Sequence, residues 1–185
     1  MILKIIKTHL RARKFKEIGR YTILEKGEYY QPNKITLGEG VYIGPGAKVS
    51  SNGGLEIKNG AIIGPNITIY TSNHYFEGKD IVSIPYDPRT VEKKVTIDEN
   101  VWVGGNVIIT PGVSIGEGSI IGAGEVIRGD IPPYSVFYGS KVQRNRRNLD
   151  LYRKLKREKK IYMKKKLEIY ERLYKILEKI FRNIK

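Results

Sequence analysis

Few side chains in this sequence could act as a general base or a nucleophile near neutral pH. The 185 residues include no cysteine and only two histidines, His9 and His74. An unperturbed imidazole has a pKa of about 6.5, so it can remove a proton from a hydroxyl group at physiological pH. His9 has no partner nearby in the sequence. His74 ends a strand-like segment directly before a long irregular stretch, and it is therefore our candidate catalytic base.

The irregular stretch covers residues 75–94 and reads YFEGKDIVSIPYDPRTVEKK. It shows no periodicity, and it is interrupted by Gly78, Pro85 and Pro88. Loops of this length are uncommon inside a compact domain and are usually functional. We therefore expect a flap that projects from the body of the protein beside His74.

The body that must position His74 is built from six-residue repeats. Residues 97–132 read IDENVW, VGGNVI, ITPGVS, IGEGSI, IGAGEV and IRGDIP, and an earlier set of repeats covers residues 37–74 with a two-residue break at 55–56. An aliphatic residue opens each block, and the fourth place holds Gly, Asn or Asp in eleven of the twelve complete hexads. These residue types tolerate positive φ, so each block can form a corner. A period of six predicts a parallel β-helix with three blocks per coil.

Side chains in such a coil alternate between the core and the outside. Places one and five of each hexad should face the core, and place six should face outward. Because His74 and Trp102 both occupy place six, we expect both outside, with Trp102 in the wall of a groove. We also expect sister subunits to bury the aliphatic residues at place six, which are Ile62, Ile108, Ile120 and Val126.

The net charge of +15 is concentrated at the two ends of the chain. Residues 1–20 carry +6, residues 21–140 carry −4 and residues 141–185 carry +13. A mildly acidic body therefore has two basic arms. The first arm has apolar residues at roughly helical spacing, which predicts an amphipathic helix that caps the open end of the coil. Contact of this helix with anionic lipid headgroups is the alternative.

From these patterns we expect an all-β body with helical additions. The N-terminal helix and entry segment should cover residues 1–34, the β-helix residues 35–140 with its flap at 75–94, and a basic helical extension residues 141–185. Apolar residues of the extension follow a heptad spacing, namely Leu167, Tyr170, Tyr174, Leu177, Phe181 and Ile184. A second stripe lies beside them, formed by Ile169, Leu173, Ile176 and Ile180. So wide an apolar face needs a partner, which is another helix, the body or a membrane.

Three segments resemble the hexapeptide-repeat acyltransferases of the maltose/galactoside O-acetyltransferase type, which also occurs among surface-polysaccharide O-acetyltransferases. They are IGPNITIYTSNH at 63–74, VTIDENVWVGGNVIITPGVSIGEGSIIGAGEVI at 95–127 and DIPPYSVFYGS at 130–140. The resemblance covers about residues 35–146. It implies a left-handed coil, a homotrimer, and acetyl-CoA bound as the acyl donor in a groove between neighbouring subunits, with no metal. The left-handed winding comes from the resemblance alone, since parallel crossovers are otherwise right-handed.

The resemblance also implies roles for single residues. His74 matches the catalytic base of the family, and Trp102 matches the indole beside the site of acyl transfer. Five further positions match residues that contact the cofactor, namely Gly105, Ala123, Arg128, Gly129 and Arg146. Arginines are chemically suited to the phosphates of CoA.

The sequence departs from the family at the acceptor site. The acceptor-binding Asn and Asp of the galactoside enzymes fall near Gly44, Pro45 and Asn52 here, so the sugar specificity does not carry over. The exit motif, usually Gly-Asn-Pro-Ala, is replaced by residues 139–142, which read GSKV.

We therefore predict an O-acetyltransferase acting on a sugar or polysaccharide precursor. An N-acetyltransferase acting on a nucleotide-linked amino sugar is the main alternative, and a trimeric scaffold with polyanion-binding arms is a weaker one. A zinc enzyme would need three histidine ligands, and only His74 lies in the coil.

No aromatic-interleaved basic motif suggests nucleic acid. No apolar segment approaches the roughly 20 residues of a membrane span, and the N-terminus lacks the features of a signal peptide. We expect a cytoplasmic protein, with contact of its basic arms with the anionic inner face of the membrane as the alternative to packing within the protein.

Overall fold

The computed structural model describes residues 1–145 and 148–182. Its body is a coil of short parallel strands arranged in three sheets, which we call faces 1, 2 and 3. Face 1 contains Glu17–Ile18, Ile35–Leu37, Leu55–Ile57, Val95–Ile97 and Ser114–Ile115. Face 2 contains Ile23–Leu24, Tyr42–Ile43, Ile62–Ile63, Trp102–Val103, Ile120–Ile121, Ser135–Tyr138 and the antiparallel Lys141–Asn145. Face 3 contains Gly27–Tyr30, Ala47–Ser50, Thr68–Tyr70, Ile108–Ile109 and Val126–Ile127.

The predicted alternation of side chains is confirmed. The place-one residues from Ile97 to Ile127 are each no more than 1% exposed and form one continuous core with their counterparts in the earlier coils. At place six, by contrast, Trp102 is 55% exposed and Ile108 is 37% exposed. The repeat therefore sorts side chains between the core and the surface as a two-residue strand requires.

Most of the predicted corners adopt positive φ, including Asn66 at 56° and Asn106 at 57°. Asn52 and Asp130 do not. The corner near Asn52 is longer, and Gly54 takes the positive φ there at 93°. Asp130 instead accepts a hydrogen bond from the backbone N–H of Ser114 at 2.8 Å. The two residues that interrupt the six-residue period therefore lengthen the corner before Leu55–Ile57. The segment Leu55–Ile57 itself is a regular strand.

The coil begins at Glu17 rather than at the expected residue 35, because residues 17–30 already pair in parallel with the next coil. This first coil lacks the sequence signature because its corner residue is Tyr21, which adopts φ 55°. The last coil lacks the signature for the same reason, because Tyr134 occupies its corner at φ 60°. Tyrosine is an uncommon residue at positive φ, so neither corner is visible from residue types alone.

Helix α1, Ile2–Ala12, caps the first strand of face 2. The Thr8 hydroxyl accepts a hydrogen bond from the backbone N–H of Leu24 at 2.9 Å, and the Arg11 guanidinium donates to the Leu24 carbonyl at 2.6 Å. These bonds satisfy backbone groups at the edge of the sheet. The expected capping role of the helix agrees with this geometry.

The C-terminal extension contains α2, Leu149–Arg157, α3, Tyr162–Leu167, and α4, Glu171–Arg182. Short 3₁₀ turns occur at Pro32–Lys34 and Glu168–Tyr170. The heptad residues form a second core together with α1 and the outer side of face 2. Tyr42 and Ile62 pack against this second core. Its buried residues are Ile5, Tyr21, Ile23, Met163, Leu167, Tyr174 and Leu177. Of the predicted seam, Ile184 and the side chain of Phe181 lie outside the described residues.

This second core corrects one prediction. Ile62 was expected to be buried by a sister subunit, but it packs against the second core of its own chain and is half-buried there. The body together with α1 is therefore the partner of the heptad stripe, whereas Ile169, Ile176 and Ile180 of the second stripe stay exposed. Of the expected outward residues, Trp102 and Ile108 stay exposed on the single chain, whereas Ile120 and Val126 are half-buried.

A row of acidic residues at the corner between faces 1 and 2 holds the basic extension. Lys156 forms ion pairs with Glu99 at 2.8 Å and with Glu117 at 2.7 Å, and Lys164 pairs with Glu39 at 3.2 Å. Burial alone would lower the pKa of Lys156, but its hydrogen bonds to Glu117 and Glu99 outweigh this and raise the pKa. Part of the basic charge of the extension is thus neutralised within the chain.

None of the helices in the described part of the chain combines the length and the apolar character needed to cross a bilayer.

Candidate active site

The flap leaves the coil at the corner between faces 3 and 1, and a short hairpin forms its base. Strand Ser72–His74 pairs antiparallel with Thr90–Glu92, and His74 lies opposite Thr90. Below the hairpin, the buried Thr71 hydroxyl donates to the Ser50 carbonyl at 3.0 Å and accepts from the Gly53 N–H at 2.8 Å. The coil thus anchors the strand that carries His74, whose side chain is exposed as predicted.

Tyr86, from the far part of the flap, holds the imidazole of His74. The two rings are stacked, with centroids 3.8 Å apart and planes inclined by 17°. The backbone N–H of His74 donates to the Asn73 side-chain oxygen at 2.9 Å. The imidazole is therefore restrained on one face and open to solvent elsewhere.

A network centred on Arg89 shapes the flap. Its guanidinium binds the buried carboxylate of Asp87, and it donates to the Asp80 carboxylate at 2.6 Å. The Tyr75 hydroxyl donates to the same Asp80 carboxylate at 2.7 Å, and the Arg89 guanidinium lies 4.3 Å from the centre of the Tyr75 ring. Because Asp87 directly follows Tyr86, this network fixes the backbone that presents Tyr86 to His74.

The charges of this network reinforce one another. The hydrogen bond from Arg89 holds the pKa of the Asp87 carboxyl below its usual range. Hydrogen bonds lower the pKa of the Asp80 carboxyl, and the bond from Tyr75 has a larger effect than the bond from Arg89. Both carboxylates therefore stay ionised near neutral pH, and the flap keeps one arrangement across the physiological range.

Trp102 lies on face 2, in register between Ile62 and Ile120. His74 follows a strand of face 3, so the two residues stand on different faces of the same chain. The single chain therefore does not bring together the two residues that were expected to border one site.

Gly105 and Ala123 are brought together. They occupy the same position in successive coils, at the corner between faces 2 and 3, where the N–H of Gly124 donates to the Gly105 carbonyl at 2.9 Å. Within the described part of the chain, the N–H groups of Gly105 and Ala123 themselves donate no hydrogen bond. Two spare amide donors one coil apart, roughly 4.8 Å, could bind the carbonyl groups of an extended ligand.

Arg128 and Gly129 follow the last strand of face 3 and are both exposed. Space around Gly129 is open, since a Cβ atom added there would have no neighbour within 4 Å. The nearby exit turn is held by Glu125, whose carboxylate accepts from the N–H groups of Gly139 and Ser140 at 2.7 and 3.1 Å. Arg146, the remaining expected contact, lies outside the described residues.

Comparison with known proteins identifies the repeat and its relatives. The family model of bacterial transferase hexapeptide repeats (six repeats) matches residues 94–129. Galactoside acetyltransferase in complex with coenzyme A is similar with a TM-score of 0.69 and 28% identity, over 77% of this chain and 70% of that one. A hexapeptide-repeat containing acetyltransferase from Vibrio cholerae O1 biovar eltor, complexed with acetyl coenzyme A, gives a TM-score of 0.70 and 24% identity over 78% of each chain. No curated protein matches the chain by sequence.

Residues 94–129 match the bacterial transferase hexapeptide repeat, and the chain is similar in fold to these acetyltransferases. Its expected fold, a left-handed parallel β-helix, is confirmed by the three parallel sheets together with these relatives. A mutant of AntD, an N-acyltransferase from Bacillus cereus in complex with dTDP and coenzyme A, shares the fold with a TM-score of 0.65 and 20% identity, over 83% of this chain and 96% of that one.

Two features of this candidate site could not be predicted from the sequence. One is the stack of Tyr86, from the middle of an aperiodic flap, on His74, which directly precedes that flap. The other is the position of the C-terminal extension, which packs beside the strand of Trp102 and turns that part of face 2 into a groove. The opposite charges of body and extension signalled such an association, but they do not say which corner the lysines reach.

Proposed function

We propose that the protein transfers the acetyl group of acetyl-CoA to a hydroxyl of a sugar or polysaccharide precursor, with His74 as general base. The observation that carries this proposal is the geometry of His74. Its imidazole stands exposed on an anchored strand, braced by Tyr86, on the scaffold of an acyltransferase. A base that must meet two substrates needs both exposure and a fixed position.

The chemical step that this geometry supports is a direct transfer. His74 takes the proton of the acceptor hydroxyl as that oxygen attacks the thioester carbonyl carbon. The tetrahedral oxyanion is stabilised by an N–H donor and then collapses, the carbon–sulfur bond breaks, and the proton passes from His74 to the departing thiolate. The products are the acetyl ester and free CoA, and His74 returns to its neutral form.

The donor would lie along the corner between faces 2 and 3. The spare N–H groups of Gly105 and Ala123 suit the amide carbonyls of its pantetheine arm, since an extended chain can match donors repeated once per coil. Trp102 offers an exposed apolar surface near the reacting end. Arg128, and Arg146 as a further prediction, would meet the phosphates, which favour guanidinium donors.

Replacing His74 by Ala tests the proposed reaction. We expect acetyl transfer to fall by a factor of about 10² or more, since a positioned general base typically contributes that much. CoA should still bind in calorimetry, because no donor contact is removed. The matched control is His9→Gln, which changes the other histidine, on α1, and should leave turnover near that of the wild type. Turnover of His74→Ala equal to the control would refute the assignment.

Assembly into a trimer is part of the proposal. His74 and Trp102 stand on different faces of one chain, so a site that uses both requires a neighbouring subunit. The exposed Trp102 and Ile108 support this idea, because such apolar residues on a regular surface suit a subunit contact.

Mixing two inactive variants tests this arrangement. If each site takes His74 from one subunit and Trp102 from the next, co-refolding equal amounts of His74→Ala and Trp102→Ala should restore about a quarter of wild-type activity, by random assembly of closed trimers. Variants refolded separately and then combined are the control. No recovery in the co-refolded sample, with trimers observed by ultracentrifugation, would refute a site that takes His74 and Trp102 from neighbouring subunits.

Product analysis separates hydroxyl from amine acceptors. A panel of matched sugars and amino sugars, followed by mass spectrometry and base treatment, distinguishes labile esters from stable amides. We expect esters, because His74 is suited to removing a hydroxyl proton.

Location in the cytoplasm with contact to an anionic membrane stays a prediction. It is supported by the exposed residues Ile169, Ile176 and Ile180 among the basic residues of the extension.

A further inference from the structure

The C-terminal extension forms a groove with the strand of Trp102. It crosses the corner between faces 1 and 2, where the side chain of Ile161 fills the space over Gly60, to 3.2 Å from the position of a Cβ atom there. The hydroxyl of Tyr152 accepts from the Asn100 side-chain amide at 3.2 Å and donates to Glu117 at 3.0 Å. These contacts hold α2 and the start of α3 beside face 2.

The groove has a volume of about 580 Å³. This lies within the usual range for sites that bind small molecules, roughly 300–1,000 Å³. The coil contributes Ile62 and Trp102 to its lining, and the extension contributes Lys159, Lys160 and Tyr162. Trp102 is 55% exposed, and Tyr162 is 63% exposed with the Lys166 ammonium 5.4 Å from the centre of its ring. Two open aromatic surfaces in one concave site suit a ligand with an apolar ring face.

The lysines that line this groove differ in whether they form ion pairs. Lys156 and Lys164 are paired with the acidic row of the coil. Lys160 pairs with Glu158 of its own segment at 2.6 Å, and Lys159 forms no ion pair with any described residue. Lys159 therefore leaves one positive charge at a site whose acids are already paired, and Lys160, paired only with exposed Glu158 of its own segment, lies next to it. Such a site favours an anionic ligand, and ammonium groups bind phosphate well.

The groove lies on the opposite side of the Trp102 strand from the spare amides. Gly105 and Ala123 follow face 2, whereas Gly60 and Asn100 precede it. If the donor follows the spare amides, as proposed above, the groove remains free for the second substrate. Trp102 borders both the groove and the proposed reacting end of the donor, so a ligand in the groove can meet the thioester there.

We propose that this groove binds the acceptor, and that the acceptor is a sugar carrying a phosphate or diphosphate group. The sugar ring packs against Trp102, and the phosphate binds Lys159 and Lys160. The proposal rests on the proposed acetyl transfer for the role of the ligand, but its binding can be measured without any turnover.

Trp102 is the only tryptophan, so its fluorescence reports directly on this groove. The full-length protein is titrated at low ionic strength with glucose 1-phosphate, with UDP-glucose and with uncharged glucose. The groove variant is Lys159→Gln/Lys160→Gln. The matched control, Lys154→Gln/Lys165→Gln, removes the same charge from exposed lysines of α2 and α3 that do not line the groove.

We expect both phosphorylated probes to change the Trp102 emission and glucose to have little effect. In the groove variant, the affinity for the phosphorylated probes should fall about tenfold, because charge-assisted contacts are lost. The control variant should bind these probes with nearly wild-type affinity. Tighter binding of UDP-glucose than of glucose 1-phosphate would assign a diphosphate, and equal binding a single phosphate.

Three results would overturn the proposal. They are no response to either phosphorylated probe, equal weakening in both double variants, and a loss of acetyl-CoA affinity in the groove variant with the phosphosugars unaffected. Failure of the acetyl-transfer proposal looks different, because His74→Ala would then match wild type in transfer while the fluorescence result stands unchanged.

Discussion

At the scale of single residues, the proposed reaction depends on His74, a histidine with few contacts. His74 is exposed, and within the described part of the chain its close ring contact is the stack with Tyr86. An imidazole on a surface strand can otherwise rotate between staggered side-chain conformations. The tyrosine therefore acts as a positioning residue, because it selects one orientation of the ring without touching the substrates' reacting atoms in our mechanism.

Removing the ring of Tyr86 should slow the reaction without weakening the binding of acetyl-CoA. An aromatic contact of this kind contributes about 0.5–1.5 kcal/mol, so Tyr86→Ala should lower kcat roughly 2- to 12-fold. The KM for acetyl-CoA should not change, and Tyr86→Phe should retain wild-type kcat because the ring is kept.

Tyr30→Ala is the matched control, since Tyr30 is a 60% exposed tyrosine of face 3. Steady-state kinetics with both substrates varied give the comparison. Equal kcat values for Tyr86→Ala and Tyr30→Ala would contradict the positioning role.

At the scale of elements, the flap is stabilised by charges whose effect has a defined pH dependence. The pKa values of the Asp80 and Asp87 carboxyls are lowered in the folded chain, relative to about 3.9 in an unfolded one. A lowered folded-state pKa adds stability that is present above the unfolded value and is lost as the pH falls through the folded value. The flap should therefore keep its arrangement from pH 5 to 8 and loosen below about pH 4.

Hydrogen exchange measures this prediction. The N–H of Tyr75 donates to the Arg89 carbonyl, and the N–H of Asp87 donates to the Tyr75 carbonyl, each at 3.0 Å. Their protection factors should fall between pH 6 and pH 3, whereas that of the Gly104 amide in the coil should not. In Arg89→Gln both flap amides should be poorly protected already at pH 6. Unchanged flap protection at pH 3 would show that the carboxylates do not hold it.

The sequence predicts repeated elements well and unique ones poorly. Every coil whose corner holds Gly or Asn can be recognised, because the backbone there requires a residue that tolerates positive φ. The first and last coils were hidden because Tyr21 and Tyr134 fill those corners. Among site residues, His74 and Trp102 followed from the repeat phase. The contact of Tyr86 with His74 could not be predicted in this way, because the flap that carries Tyr86 has no repeated pattern.

At the scale of the whole molecule, the two basic arms are partners of the body and of each other. Helix α1 and the C-terminal helices share one apolar core with the outer side of face 2. An acidic row on the neighbouring corner receives Lys156 and Lys164. Surface ion pairs contribute little each, so the apolar contacts must provide most of the docking energy. The same docking builds the wall of the groove beside Trp102.

A pair of substitutions separates these contributions to docking. Leu167 is fully buried in the second core, whereas Ile169, two residues away, is 81% exposed. Leu167→Ala should cost about 2–5 kcal/mol of docking energy, as buried leucine truncations do, and Ile169→Ala should change stability by no more than about 0.5 kcal/mol. Because the extension is rich in Lys and Arg, limited trypsin digestion should release it much faster from Leu167→Ala while the coil stays intact. Similar release rates from the two variants would mean that ion pairs with the acidic row, rather than the apolar core, hold the extension.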